Sequence, residues 1–94
     1  MSYNLAFRES ALKEWKKLDP PIREQFKKKL AERLERPRVE SARLSGMPDC
    51  YKIKLKSAGY RLVYQVEDRT VTVVVVAVGR RERNFAYKIA VKRV

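Results

Sequence analysis

Residues 50–78 read CYKIKLKSAGYRLVYQVEDRTVTVVVVAV, and they decide the fold. In 50–56, Tyr51, Ile53 and Leu55 alternate with Lys52, Lys54 and Lys56. Apolar and polar residues alternating in twos mark a half-buried strand. Residues 57–59 (SAG) supply a tight turn in which Gly59 is free to take a positive φ. In 60–67, Tyr60, Leu62, Tyr64 and Val66 alternate with Arg61, Val63, Gln65 and Glu67, and Asp68-Arg69 turns the chain again. Residues 71–78 form a near-continuous β-branched run, the pattern of a strand buried on both faces. Short turns between consecutive strands make all three antiparallel.

The flanks supply the rest. Residues 3–8 (YNLAFR) alternate as a short strand, and Ser10 is placed to cap a helix carrying Leu12, Trp15 and Leu18. Asp19-Pro20-Pro21 breaks that helix and begins another, on which Ile22, Phe26, Leu30 and Leu34 form one stripe. Arg36-Pro37 ends it. Residues 38–49 form a connection punctuated by Gly46 and Pro48, and 80–94 read as a final helix with Phe85, Ile89, Ala86 and Ala90 turned inward on a weak stripe. Trp15, Phe26 and Tyr64 are assigned to the core. The order β-α-α-β-β-β-α describes a single α+β domain over 1–94: two layers, a mainly antiparallel sheet with a helical hairpin on one face.

Charge narrows the function. Twenty-three Lys and Arg against eleven Asp and Glu give a formal +12 at pH 7. Self-repulsion on that scale opposes compaction, and it points to nucleic acid or a strongly acidic protein as partner. There is no histidine, so Ser–His–Asp and Cys–His catalysis are excluded, as is a metal site of the usual His/Cys kind. The single cysteine, Cys50, permits no internal disulfide, which suits a reducing compartment. Neither MSYNLAFRES nor Val73–Val78 offers an apolar run of signal-peptide or membrane-spanning length, so a cytoplasmic location with no membrane contact is expected. No cofactor is expected.

With Ala58-Gly59 as the turn pair, Ser57 stands opposite Tyr60, Lys56 opposite Arg61, and Lys54 opposite Val63. Lys52, Lys54, Lys56 and Arg61 then share one sheet face, with no acid between Lys52 and Arg61. Such a face suits a polyphosphate. Cleaving RNA also needs a base for the 2′-hydroxyl, a stabiliser of phosphorane charge and a donor to the leaving 5′-oxygen. Lysine titrates near ~10.4 when free, and neighbouring cations and desolvation lower that value toward usefulness. Arginine suits the stabilising role because its planar fork grips phosphate.

The stretches LKEWKKL (12–18), REQFKKKL (23–30), GMPDCYKIKL (46–55), GYRLVYQV (59–66) and VGRRER (78–83) resemble the RelE toxins of bacterial and archaeal toxin–antitoxin pairs. The resemblance covers essentially the whole chain and implies a RelE/ParE-like fold. It implies metal-independent, ribosome-dependent cleavage of mRNA in the A site, by attack of the 2′-hydroxyl on the adjacent phosphate. It places the catalytic set at Lys52, Lys54, Arg61, Arg81 and Tyr87. Lys54 is then general base, Lys52 and Arg61 stabilise the phosphorane, Arg81 is general acid, and Tyr87 orients or stacks on the base. A guanidinium with a pKa above ~12 is a poor proton donor, which leaves open a charge-only role for Arg81 with water or Tyr87 as donor. The helical cations Lys13, Lys16, Lys17, Arg23, Lys27 and Lys28, with Lys56 and Arg83, are implied to grip substrate or ribosomal RNA. The implied partners are the 70S ribosome through its 16S RNA, mRNA, an acidic RelB-like antitoxin, and operator DNA only through the antitoxin complex.

Two other readings compete: a non-enzymatic toxin of the same fold, like the ParE proteins that poison gyrase, and a basic ribosome-binding module. ParE proteins lack the Lys/Lys/Arg/Arg/Tyr set.

Overall fold

The computed structural model describes residues 2–82 and 85–94. Its elements are β1 (Asn4–Phe7), α1 (Glu9–Lys16), α2 (Pro20–Glu35), β2 (Cys50–Leu55), β3 (Tyr60–Glu67), β4 (Thr72–Arg80) and α3 (Phe85–Arg93), with short 3-10 turns at Glu40–Ala42 and Asp68–Thr70. The element order is the one expected from the sequence. The sheet runs β1-β4-β3-β2. The last three strands are antiparallel, and β1 joins the edge of β4 in parallel.

Alternation places the core. Tyr51, Ile53, Leu55, Leu62, Tyr64, Val66, Val73, Val75 and Val78 turn toward the helical hairpin and are buried with Phe26, Leu30, Leu18 and Ala11. Trp15 is partly buried and bridges the layers, its ring 5.2 Å from Phe7 and 6.2 Å from Phe26. Tyr64 is buried with its hydroxyl satisfied twice: it donates to the Pro37 carbonyl at 2.6 Å and accepts from Arg33 at 2.9 Å. Arg33 also donates to the Lys52 carbonyl at 3.0 Å, which pins α2 to β2.

The hairpin covers one face, and α3 adds a short third layer on the other. There Ala86 and Ala90 pack with Val63, Val76, Ala77, Cys50 and Met47. The β4 run is accordingly buried from both sides, as its composition requires. Between Val63 and Tyr64 the pairing to β4 shifts, because Val63 faces Ala77 while Tyr64 faces Val75. Val76 is the extra residue of this bulge, and it joins Ala77 on the α3 side.

Some local expectations change. The first helix begins at Glu9 behind an extended Arg8, so Ser10 lies in its first turn and does not cap it. Val71 leaves the strand for a left-handed conformation (φ 51°) that ends the Asp68–Thr70 turn. Phe85 points outward at 48% exposure, because the small side chains of Ala86 and Ala90 form the stripe against the sheet. No helix among the described residues is long and apolar enough to cross a membrane.

Candidate active site

The hairpin register sets the site. Lys54 stands opposite Arg61, Lys52 opposite Val63, and Leu55 opposite Tyr60. The expected register, with Lys56 opposite Arg61, is therefore corrected by two residues. Residues 56–59 form the loop, closed by the Gly59 N–H donating to the Leu55 carbonyl at 2.8 Å, with Gly59 at φ 73°. A shift of two preserves which face each side chain uses. Lys56 moves into the turn, and Lys54 gains Arg61 as its direct cross-strand neighbour.

Arg61 is the centre. Across β4 it pairs with Gly79. Its guanidinium carbon lies 5.0 Å from the centroid of the Tyr87 ring, a cation–π distance, and Tyr87 arrives on α3. Arg81 follows β4 and is tied to the hairpin by its backbone N–H, which donates to the Gly59 carbonyl at 2.9 Å. The Arg81 side chain joins Lys54, Leu55, Lys56, Tyr60 and Arg61 around a cleft of ≈ 210 Å³. Lys52 is two residues up β2 on the same face. Lys52, Lys54, Arg61, Arg81 and Tyr87 are thus brought together from two strands, the residue that follows β4, and a helix, while α3 packs over β4 and β3.

The electrostatics follow from this crowding. Lys54 is held below the ordinary lysine pKa, first by Lys52, then by partial desolvation and by Arg61 and Lys56. Burial pushes Tyr87 above the ordinary phenol value, against the opposing pull of Arg61. The buried Tyr87 hydroxyl has no well-formed hydrogen-bond partner among the described residues. Burial raises the Cys50 thiol to about 11, with Asp49 adding to it, so this cysteine is an inert core residue. No group of His, Cys, Asp and Glu side chains suited to a metal occurs among the described residues.

The helical cations occupy the other side of the molecule. Lys16, Arg23 and Lys27 surround a separate hollow with Leu12, Trp15, Pro20 and Glu24. Arg23 donates to the Lys16 carbonyl at 3.3 Å, and Lys27 pairs with Glu24 at 3.3 Å. Lys13, Lys17 and Lys28 are exposed on α1 and α2 or the link between them. Arg83 lies outside the described residues.

Two features escaped the sequence reading. Tyr60 and Leu55 line the cleft, and the Tyr60 ring lies 5.5 Å from the Arg80 guanidinium carbon. Glu14 and Arg93 join α1 to α3. The first was open to discovery, since both residues flank the turn. The second carried no signal beyond two opposite charges far apart in the chain.

The family described as "ParE toxin of type II toxin-antitoxin system, parDE" matches residues 5–85. The chain is 63% identical over 94 residues to the mRNA interferase toxin RelE of Escherichia coli (strain K12), covering 100% of this chain and 99% of that protein. Among solved structures it resembles an arginine-to-alanine double mutant of E. coli toxin RelE in the free state, with TM-score 0.92, 61% identity, and coverage of 100% and 99% of the two chains. It also resembles the toxin in the intact E. coli RelBE toxin–antitoxin complex, with TM-score 0.84, 63% identity, and coverage of 87% of this chain and 100% of that one. The chain therefore belongs to the RelE toxins, within the ParE-toxin family of type II toxin–antitoxin systems.

Proposed function

We propose that this protein is an mRNA interferase: a metal-independent endoribonuclease that cuts message in the ribosomal A site and so stops translation. The observation that carries the reading is the convergence of Lys54, Arg61 and Arg81 on one cleft, with Lys52 and Tyr87 beside it.

The chemistry follows from the positions. Lys54, with its pKa depressed by Lys52 and Arg61, is the general base that takes the 2′-hydroxyl proton. The freed oxygen attacks the adjacent phosphorus, the bond to the 5′-oxygen breaks, and the products are a 2′,3′-cyclic phosphate and a 5′-hydroxyl. Lys52 and Arg61 stabilise the phosphorane charge. Arg81, anchored through its backbone to the turn, neutralises the charge on the leaving 5′-oxygen, which takes its proton from water or from Tyr87. Tyr87 orients the base.

An acidic RelB-like antitoxin is the natural inhibitor of a chain at +12. By binding where α3 packs, such a partner would remove Tyr87 from Arg61. The toxin reaches operator DNA only through that complex. The exposed Lys13, Lys17 and Lys28, with Lys16, Arg23 and Lys27, form a second basic surface for ribosomal RNA. The gyrase-poisoning reading is the less favoured, because two relatives at 63% identity over the whole chain are named mRNA interferases.

The test is cell-free translation read by primer extension, with Lys54→Ala and Arg81→Ala alongside the native chain. Cuts confined to translated message, and lost in both variants, are expected. Intact message together with damaged supercoiled DNA would overturn the reading.

A further inference from the structure

A second hollow lies beside the cleft and has no part in the scheme above. It measures ≈ 480 Å³, is largely apolar, and is lined by Arg80, Glu82, Phe85 and Lys88. Phe85 opens α3 and leaves 48% of its surface in solvent. Its ring is nonetheless seated. One edge fills the space above Gly79, where an added Cβ would come within 2.6 Å of Phe85 Cδ2.

Gly79 is the cross-strand partner of Arg61, and Arg61 that of Lys54. Phe85 therefore stands on the sheet in line with the cluster, two strands from Lys54, or ~10 Å by ordinary strand spacing. Arg80 lines the hollow and its chain neighbour Arg81 lines the cleft, so consecutive residues at the end of β4 border the two depressions.

A half-exposed aromatic ring with cations at its rim, near a cleft for a polyanion, is the arrangement that takes an unpaired base. Stacking is tolerant of base identity, and the cations hold the backbone. Arg80 is steadied over the Tyr60 ring, and Lys88 lies one helical turn beyond Phe85. Among the described residues Glu82 is the one acid lining the hollow, and its charge favours a phosphate placed on the side of Arg80 and Lys88.

We propose that Phe85 is a stacking subsite for the nucleotide flanking the cleaved linkage, whose phosphate is held by Arg80 and Lys88. This rests on the RNA-cleaving reading. The test is cleavage of one codon on programmed ribosomes, with messages carrying either the native flanking nucleotide or an abasic one. Phe85→Ala and Phe85→Leu are expected to raise the toxin concentration for half-maximal rate by about 5- to 100-fold on native message. Phe85→Tyr keeps the ring and is expected to match the native chain. The abasic message should weaken the native toxin by a similar factor and Phe85→Ala not at all. Equal losses on both messages would make Phe85 a prop for Gly79 and overturn the subsite. If Phe85→Ala and Phe85→Leu cut as well as the native chain while Lys54→Ala is inactive, the subsite falls and the nuclease stands. A native chain that leaves message intact removes both.

Discussion

Glu14 and Arg93, 79 residues apart, meet through a paired contact in which both guanidinium nitrogens reach the carboxylate, at 3.0 and 3.1 Å. Glu14 also accepts from the Val78 N–H at 3.1 Å, and Arg93 donates to the Val76 carbonyl at 2.7 Å. β1 ends at Phe7, level with Val75, so the edge of β4 beyond it has no strand partner. The ion pair satisfies that edge and at the same time fastens the last turn of α3. Either partner removed leaves a half-buried charge and a bare backbone group. Glu14→Gln and Arg93→Met are each expected to cost about 1–3 kcal/mol in urea unfolding. The double variant should cost less than the sum. Cleavage should fall further than stability requires, because α3 carries Tyr87 to Arg61.

Lys52 depresses Lys54, and the direction of a pH effect follows. A base works unprotonated, so a lowered pKa enlarges the active fraction near neutrality. The rising limb of the rate profile is set by Lys54 and lies below the ordinary lysine value. Lys52→Gln removes the largest cause of that depression, so the limb should move to higher pH and the neutral rate should drop. A rate loss with the limb unmoved would give Lys52 a phosphate-binding role alone. Lys54→Ala should cost about 10²- to 10⁴-fold at every pH below the native limb.

These relations divide into what the residue pattern carries and what it does not. Alternation across Tyr51–Leu55 and Tyr60–Val66 specified the faces, because period two leaves only one way to bury Tyr51, Ile53 and Leu55. It could not separate registers that differ by two residues, since both bury the same set. The loop did that, when Gly59 took a left-handed conformation and its N–H closed on Leu55. The position of α3 was hidden for a different reason. Ala86 and Ala90 mark its buried side by being small, which permits close approach to Val76 and Ala77 but gives little hydrophobic contrast. The Val76 bulge left no trace in a run of valines.

Gly79 offers a substitution whose sign is contrary to the usual one. Alanine for glycine in a strand ordinarily gains ~0.5–1 kcal/mol from backbone entropy. Here the methyl group would meet the Phe85 ring. Gly79→Ala is expected to lose stability and cleavage together, and Phe85→Ala in the same chain should restore the stability while leaving cleavage low. Thermal melts and codon-specific cleavage of the two single variants and the double decide it.

The last proton is the step on which the residues disagree. Arg81 lines the cleft, and a guanidinium offers a field more readily than a proton. Tyr87 is above the ordinary phenol pKa, so it is fully protonated at neutrality, and its hydroxyl is buried without a well-formed partner among the described residues. A hydroxyl of that kind, acted on only by the Arg61 guanidinium, adds little to the fold. Tyr87→Phe should therefore leave unfolding free energy unchanged or slightly raised. If the hydroxyl donates to the leaving oxygen, the same variant should lower the rate about 10²-fold. The native profile should then also decline at a pH above the ordinary phenol value, as the phenol ionises, and the variant should lose that decline. Arg81→Lys keeps the charge and should retain most of the rate with the profile unmoved. A Tyr87→Phe chain that cuts at the native rate would leave water as the donor and Tyr87 as a surface on which the base rests.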